Sequence, residues 1–255
     1  MLEGKRVLVY GRNVDDLKSI LPDNLVLVDE KPDFVITYGG DGSLLGAERD
    51  WPGIPKIALR DYRNNPKCDA HSEKQVLELA LQGKLVAQKL IKLEAFTEHG
   101  ESLCAINDIA LHNGDPRSAI RYVVSIDGKF FPHQIVGDGV VVSTPFGSSA
   151  YYKSITGSVF YTGIGVAFNN STEPMDHIVL PDDAVVEVTV TRGPALLLAD
   201  NSPQHFLINE GEKVVVKKTE TDVMFYGVDI FRCPDCYALK RKMWKENLID
   251  ITLKP

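Results

Sequence analysis

Short, continuous apolar runs mark the opening part of the chain. "RVLVYG", "NLVLVD", "DFVITYGG" and "IPKIALR" do not alternate with polar residues, so they read as strands buried on both faces, as in a parallel sheet covered by helices. The segments between them have helical character. "VDDLKSIL" has helical spacing and "GSLLGAERD" can form a helix after its glycines. "SEKQVLELALQG" sets Val76, Leu79 and Ala80 on one face behind Ser72, a suitable N-cap. The pattern predicts an α/β domain over residues 1–84 with a parallel, Rossmann-like sheet.

The pattern changes after Leu85. "AIRYVVSIDGKFFPHQIVG" puts Asp127-Gly128 between apolar runs, a strong hairpin signal. "VVEVTVT", "ALLLAD", "HFLINEGEKVVVKK" and "DVMFYGVD" follow as further strands, and "GSSAYYKSITG" is the one convincing helix among them. These features predict a β-strand-rich, β-sandwich-like domain over residues 85–230. "CPDCYALKRKMWKE" is helical again, and residues 231–255 are expected to pack back on the first domain.

Three stretches carry candidate chemistry. Gly39-Gly40-Asp41-Gly42 closes a buried strand and leads into a helix. Glycines let backbone approach a phosphate closely, and helix starts attract anions. The stretch lacks the lysine of a P-loop and does not match G-x-G-x-x-G. A carboxylate in such a loop suits accepting the proton of an attacking hydroxyl or holding a divalent cation; a plain Gly-Asp-Gly turn is the alternative. The second stretch, "AINDIALHNG", places Asn107 beside Asp108, an amide–acid pair suited to vicinal ribose hydroxyls if a strand end brings both to one ligand. The third, "VGDGVVVSTPFGSSAYYKS", runs from Asp138 through Thr144 and Pro145 into a helix start at Ser148, Ser149 and Ala150.

Charge narrows the possibilities. The net charge of −7 over 255 residues argues against non-specific nucleic-acid binding, so any phosphate must be held locally by backbone, a few Lys/Arg or a metal ion. No apolar run approaches membrane-spanning length and the first residues read as a strand, so a cytoplasmic protein is expected, with no membrane partner.

Together, "GGDGSLL", "NDIAL" and "GDGVVVSTPFGSSAYYKS", in this order and spacing, resemble the NAD kinase family over about Val35 to Asp200. The resemblance implies an α/β domain joined to a strand-rich domain, with the active site in the cleft. It implies phosphoryl transfer from ATP, or polyphosphate, to the 2′-hydroxyl of the adenosine ribose of NAD, giving NADP. Mg²⁺ is implied through the ATP phosphates, without a dedicated protein metal site. A homodimer or homotetramer is implied as well.

By position, Asp41 corresponds to the acid that activates the hydroxyl, and Gly39, Gly40 and Gly42 to the loop that phosphates pass. Asn107 and Asp108 correspond to the NAD-binding pair, and Asp138 to the acid facing the nicotinamide end or its ribose. Ser149, Ala150 and Tyr151 match the part of the motif along the dinucleotide. Ser154 is a further candidate in the same turn, and Asp200 is another acid near the site. Departures include Phe146 in place of a threonine, where it could stack on or wall off a base, and Gly46 in place of a basic residue, with Arg49 as a substitute. "DYRNNPKCD" stands where the family shows a Leu-Gly-Phe-Leu segment, and Asn201 replaces a glycine. The alternatives are a lipid or sphingoid kinase of the same superfamily and a non-catalytic NAD(P)-binding sensor.

Cys233-x-x-Cys236 is half of a zinc site. Cys68 and Cys104 are isolated in sequence, with His71 close after Cys68, so Cys233 and Cys236 read as two thiols at a helix start and no metal ligand is assigned.

Overall fold

The computed structural model describes residues 2–63, 67–131, 133–172 and 176–242. The described residues form two compact units, one from those up to Lys89 together with those from Val223 to 242, the other from those of Leu90–Asp222.

The first unit is built on a sheet in the order Val26–Leu27, Arg6–Gly11, Phe34–Gly39, Lys56–Arg60, Val223–Tyr226, Ala87–Leu90. The pairings from Val26–Leu27 through to Val223–Tyr226 are parallel. Successive strand residues point to opposite faces, which explains the unbroken apolar runs. Val7 and Ile36 pack with Val76, Leu77 and Ala80 of the helix Glu73–Leu81. Leu8 and Val35 pack on the other face with Ala47 of the helix Asp41–Asp50. Ser72 caps Glu73–Leu81 in a reciprocal capping box with Gln75, an arrangement that stabilises by about 1 kcal/mol. "DVMFYGVD", which by pattern alone groups with the strand-rich half, enters the parallel sheet instead: Phe225 and Tyr226 pair with Lys56 and Ile57. A continuous apolar strand cannot by its own pattern say which sheet it joins. Beyond it, residues 234–242 are helical; the rest of the C-terminal stretch lies outside the described residues.

The second unit has two antiparallel sheets around one core. One runs Lys129–Phe130, Ile120–Ile126, Val186–Arg192, Lys213–Lys218, Leu93–Thr97, Ser102–Ala105, with Ile135–Gly137 also on Ile120–Ile126. The other runs His177–Leu180, Ile164–Asn169, Gly139–Ser143, Asp108–Asn113, Ala195–Ala199, Phe206–Ile208. Val186, Val188 and Val190 from the first sheet meet Leu111, Val140, Val142 and Leu197 from the second. Asp127 and Gly128 both hold positive φ, 50° and 75°, as the tight hairpin requires. The second sheet is covered outside as well, by Tyr152 of the helix Tyr151–Thr156 and by Phe160 over Ala110, Val141 and Ala167. Its central strands are therefore apolar on both faces, and polar side chains gather at their ends.

Candidate active site

The strand Phe34–Gly39 ends beside Lys56–Arg60, in register Gly39 with Arg60. Gly39 has φ +153°, and a Cβ there would lie 2.1 Å from Ser43 Oγ, so the tight turn into the helix needs glycine. Gly40, the N-cap, is extended, and a Cβ on it would meet nothing within 4 Å. Asp41 is the first helical residue and Gly42 the next, exposed one.

The Asp41 side chain is 49% exposed, and each of its oxygens faces a guanidinium: Arg60 Nη2 at 3.5 Å from Oδ2 and Arg232 Nη2 at 3.7 Å from Oδ1. Arg60 is fixed from behind, with its guanidinium 3.9 Å over the Phe231 ring and its Nε donating to the Phe231 carbonyl at 2.5 Å. Burial lowers the Arg232 pKa, against the pull of the Asp41 carboxylate. An arginine stays charged through such shifts. Two cations on one carboxylate leave a local positive excess beside glycine backbone, which suits an anionic polyphosphate on an otherwise acidic chain. Arg49, the sequence candidate for a phosphate contact, pairs with Asp50 at 3.0 Å.

In the strand-rich unit Asn107 precedes the strand Asp108–Asn113, at the strand end the pair requires. The turn that begins at Ser143 packs directly on it. Thr144 N donates to the Asn107 carbonyl at 2.9 Å, Ser143 Oγ donates to the same carbonyl at 3.2 Å, and Thr144 Oγ1 donates to the Ile106 carbonyl at 2.5 Å. A Cβ on Gly147 would fall 2.1 Å from the Asn107 carbonyl oxygen. The two sequence blocks thus interlock through backbone.

Asp200, at φ +48°, accepts the Ile106 amide at 2.8 Å on Oδ2, and on Oδ1 the Asn107 amide at 2.8 Å and the Asp108 amide at 3.1 Å. Its carboxylate positions the pair. Burial first, and then the Asp200 charge, push the Asp108 pKa up to about 7. Asn107 Oδ1 is buried without a hydrogen-bond partner, an acceptor that a ligand donor would satisfy.

Tyr151 closes the group. Its pKa is raised by burial and by the charges of Asp108 and Asp138, and its hydroxyl accepts from Asn169 Nδ2 at 3.0 Å. Asp138 Oδ2 accepts from Asn170 Nδ2 at 2.7 Å. Ser149 and Ala150 are exposed where the turn Gly147–Ser149 meets Tyr151–Thr156. Ser154 Oγ donates back to the Tyr151 carbonyl at 2.7 Å, and Phe146 is 6% exposed.

Asn107, Asp108, Asp138, Tyr151 and Asp200 are thus gathered in one unit, while Asp41 and its glycines belong to the other. Sequence reading missed Arg60, Arg232 and Asn169. Only Arg60 carried a signal, a charge ending an otherwise buried strand beside the glycine loop.

Residues 106–228 match the profile of a family described as ATP-NAD kinase C-terminal domain. An NAD kinase of Aeromonas salmonicida is 30% identical over 235 residues, covering 85% of this chain and 79% of that protein. An NAD kinase of Hahella chejuensis is 36% identical over 158 residues, 56% of this chain; the match spans about half of that protein, 53%. In fold, the chain is similar to yeast NADH kinase complexed with NADH, with TM-score 0.73, 17% identity and coverage of 87% and 83% of the two chains. It is also similar to an NAD kinase from Archaeoglobus fulgidus in complex with ATP, with TM-score 0.71, 17% identity and coverage of 92% and 98%.

Proposed function

The chain belongs to the NAD kinase family, and from that premise we propose that it transfers the terminal phosphoryl group of ATP to the 2′-hydroxyl of the adenosine ribose of NAD, giving NADP and ADP. The ribose oxygen bonds to the γ-phosphorus as the bond to the departing ADP oxygen breaks. Asp41 accepts the hydroxyl proton. In a loose transition state that proton moves late, so a carboxylate of ordinary basicity is sufficient.

The observation that carries this reading is the placement of Asp41: a half-exposed carboxylate at a glycine-lined strand–helix junction, with a guanidinium facing each oxygen. Gly39, Gly40 and Gly42 let the donor phosphates pass close to backbone, and Arg60 and Arg232 take up their charge. Asn107 and Asp108 hold the dinucleotide, with the unpartnered Asn107 Oδ1 accepting from one of its amino or hydroxyl groups. Asp138, Ser149, Ala150 and Tyr151 line its path, with Phe146 and Ser154 behind them.

Mg²⁺ arrives with ATP and neutralises the phosphates. The same reading assigns a homodimer or homotetramer. The exposed Val179 and Leu207, on opposite edge strands of one sheet, are suitable contact points, and sedimentation would test it. No helix among the described residues is long and apolar enough to cross a membrane. A cytoplasmic setting belongs to the same reading.

The test is incubation of pure protein with ATP, Mg²⁺ and NAD, with NADP measured enzymatically. Parallel reactions with polyphosphate, and with NADH as acceptor, settle donor and acceptor. Absence of NADP with every donor, with NAD still bound, would leave a binding protein and end the kinase reading.

A further inference from the structure

Cys68 and His71 bracket the short turn Asp69–His71, while Cys233 follows Val228–Phe231 and Cys236 lies in the first turn of the helix over 234–242. By sequence the two pairs are far apart, and Cys233-x-x-Cys236 reads as two thiols at a helix start. The fold changes this, because the loop after Lys56–Arg60 returns to the segment that follows Val223–Tyr226, the neighbouring strand.

Cys68 Sγ lies 3.2 Å from His71 Nδ1, and Cys236 Sγ lies 3.5 Å from Cys68 Sγ and 3.6 Å from His71 Nδ1. With Cys233 Sγ, all four donor atoms lie within 4.8 Å of one another. A tetrahedral zinc with bonds of about 2.3 Å to sulfur and about 2.0 Å to nitrogen sets ligand atoms about 3.5–3.8 Å apart. Cys233 and Cys236 are buried, and Cys68 and His71 are half-buried. The Cys68 amide donates to Cys236 Sγ at 3.3 Å, the kind of contact that supports a metal-bound thiolate. A disulfide would use two of the sulfurs and leave a third thiol and the imidazole without a task. Three soft sulfurs and one imidazole in tetrahedral spacing select zinc.

We propose that Cys68, His71, Cys233 and Cys236 bind one structural Zn²⁺. The metal staples the loop after Arg60 to the segment that carries Arg232, and both arginines face Asp41. Cys68 lies in "DYRNNPKCD", the stretch that departs from the family pattern. The proposed site itself is independent of the kinase reading; only its effect on activity rests on that reading.

The test is elemental analysis of the full chain, purified untagged under reducing conditions without chelator. About one zinc per chain is expected, and cobalt exchanged into the protein is expected to give the visible absorption of a tetrahedral thiolate site. Cys68→Ser and the double variant Cys233→Ser/Cys236→Ser should hold roughly tenfold less zinc, or still less. Cys104→Ser, altering an exposed cysteine outside the cluster, should retain it. Should the ligand variants fail to fold, the zinc count and cobalt spectrum of the unaltered chain decide alone. The proposal is overturned if that chain takes up no zinc after anaerobic reconstitution, if it holds iron instead, if Cys68→Ser leaves zinc unchanged, or if a Cys68–Cys236 disulfide is found. A zinc-free protein that still makes NADP denies the staple and leaves the kinase reading intact.

Discussion

Asp108 and Asp200 are joined by a reciprocal pair of bonds: the Asp108 amide donates to Asp200 Oδ1 at 3.1 Å, and the Asp200 amide donates to the Asp108 carbonyl at 3.0 Å. With the Ile106 and Asn107 amides also on its carboxylate, Asp200 fixes the backbone from which Asn107 and Asp108 project. Asp200→Asn replaces one acceptor oxygen with a donor aimed at an amide. A stability loss of about 2–3 kcal/mol is expected in urea titration. The KM for NAD should rise roughly tenfold while the KM for ATP stays within about twofold, since one displaced ligand contact is worth about 1.4 kcal/mol. Equal changes in both KM values would contradict a positioning role.

Asp108 makes stability depend on pH in an unusual direction. Its pKa rises from the ordinary 3.8 to about 7 in the fold. Below about pH 4 the carboxyl is protonated whether the chain is folded or not. From there to about 7 the unfolded chain has released the proton and the folded chain has not, so folding is penalised progressively as pH rises; above about 7 the penalty is constant. Its ceiling is about 4 kcal/mol. Asp108→Asn is neutral throughout, so relative to the parent it should be more stable at pH 8 than at pH 4 by about 2–4 kcal/mol, while binding NAD more weakly. A stability difference that is the same at both pH values would remove this account.

Two glycines give opposite outcomes. Gly147→Ala drives a methyl group to 2.1 Å from the Asn107 carbonyl oxygen and 2.5 Å from its Cα, backbone atoms with little room to yield. A destabilisation of about 1–3 kcal/mol with loss of NAD binding is expected by calorimetry. Gly40→Ala meets nothing within 4 Å, and its φ of −104° suits any residue. Its stability should stay within about 0.5 kcal/mol of the parent. A raised KM for ATP then reports a ligand passing close to backbone; an unchanged KM places the phosphates elsewhere.

The paired-domain architecture was legible because the apolar runs of both units are determined by which faces are covered. The motif blocks were legible because residue type is dictated at each position: only glycine fits at Gly147 against the Asn107 carbonyl, and Thr144 bonds the same backbone. What pattern could not show was long-range. Arg232 reaches Asp41 only because Val223–Tyr226 joins the parallel sheet, and Cys233-x-x-Cys236 meets Cys68 for the same reason. Asp200 shows the converse: its position was legible and its task was not, since an acid ending a strand looks the same whether it faces a ligand or three amides.

Variants of Asp41 and Arg232 are expected to separate the proposed proton transfer from the proposed charge support. Asp41→Asn keeps shape and loses basicity, so kcat should fall by about 10²–10⁴, the usual span for removing a general base. NAD binding, which the proposed function assigns to Asn107 and Asp108, should change by less than about threefold. Arg232→Met acts differently. It leaves Asp41 facing Arg60 at 3.5 Å but removes one cation from the donor's path. Its KM for ATP should rise by roughly tenfold or more, the worth of one charge-assisted contact, with a smaller fall in kcat. If Asp41→Asn turns over at the parent rate, the carboxylate is not the base. If Arg232→Met lowers kcat as steeply as Asp41→Asn and leaves the KM for ATP alone, then the arginine serves the transition state rather than the bound donor, and the division of labour drawn from this geometry is wrong.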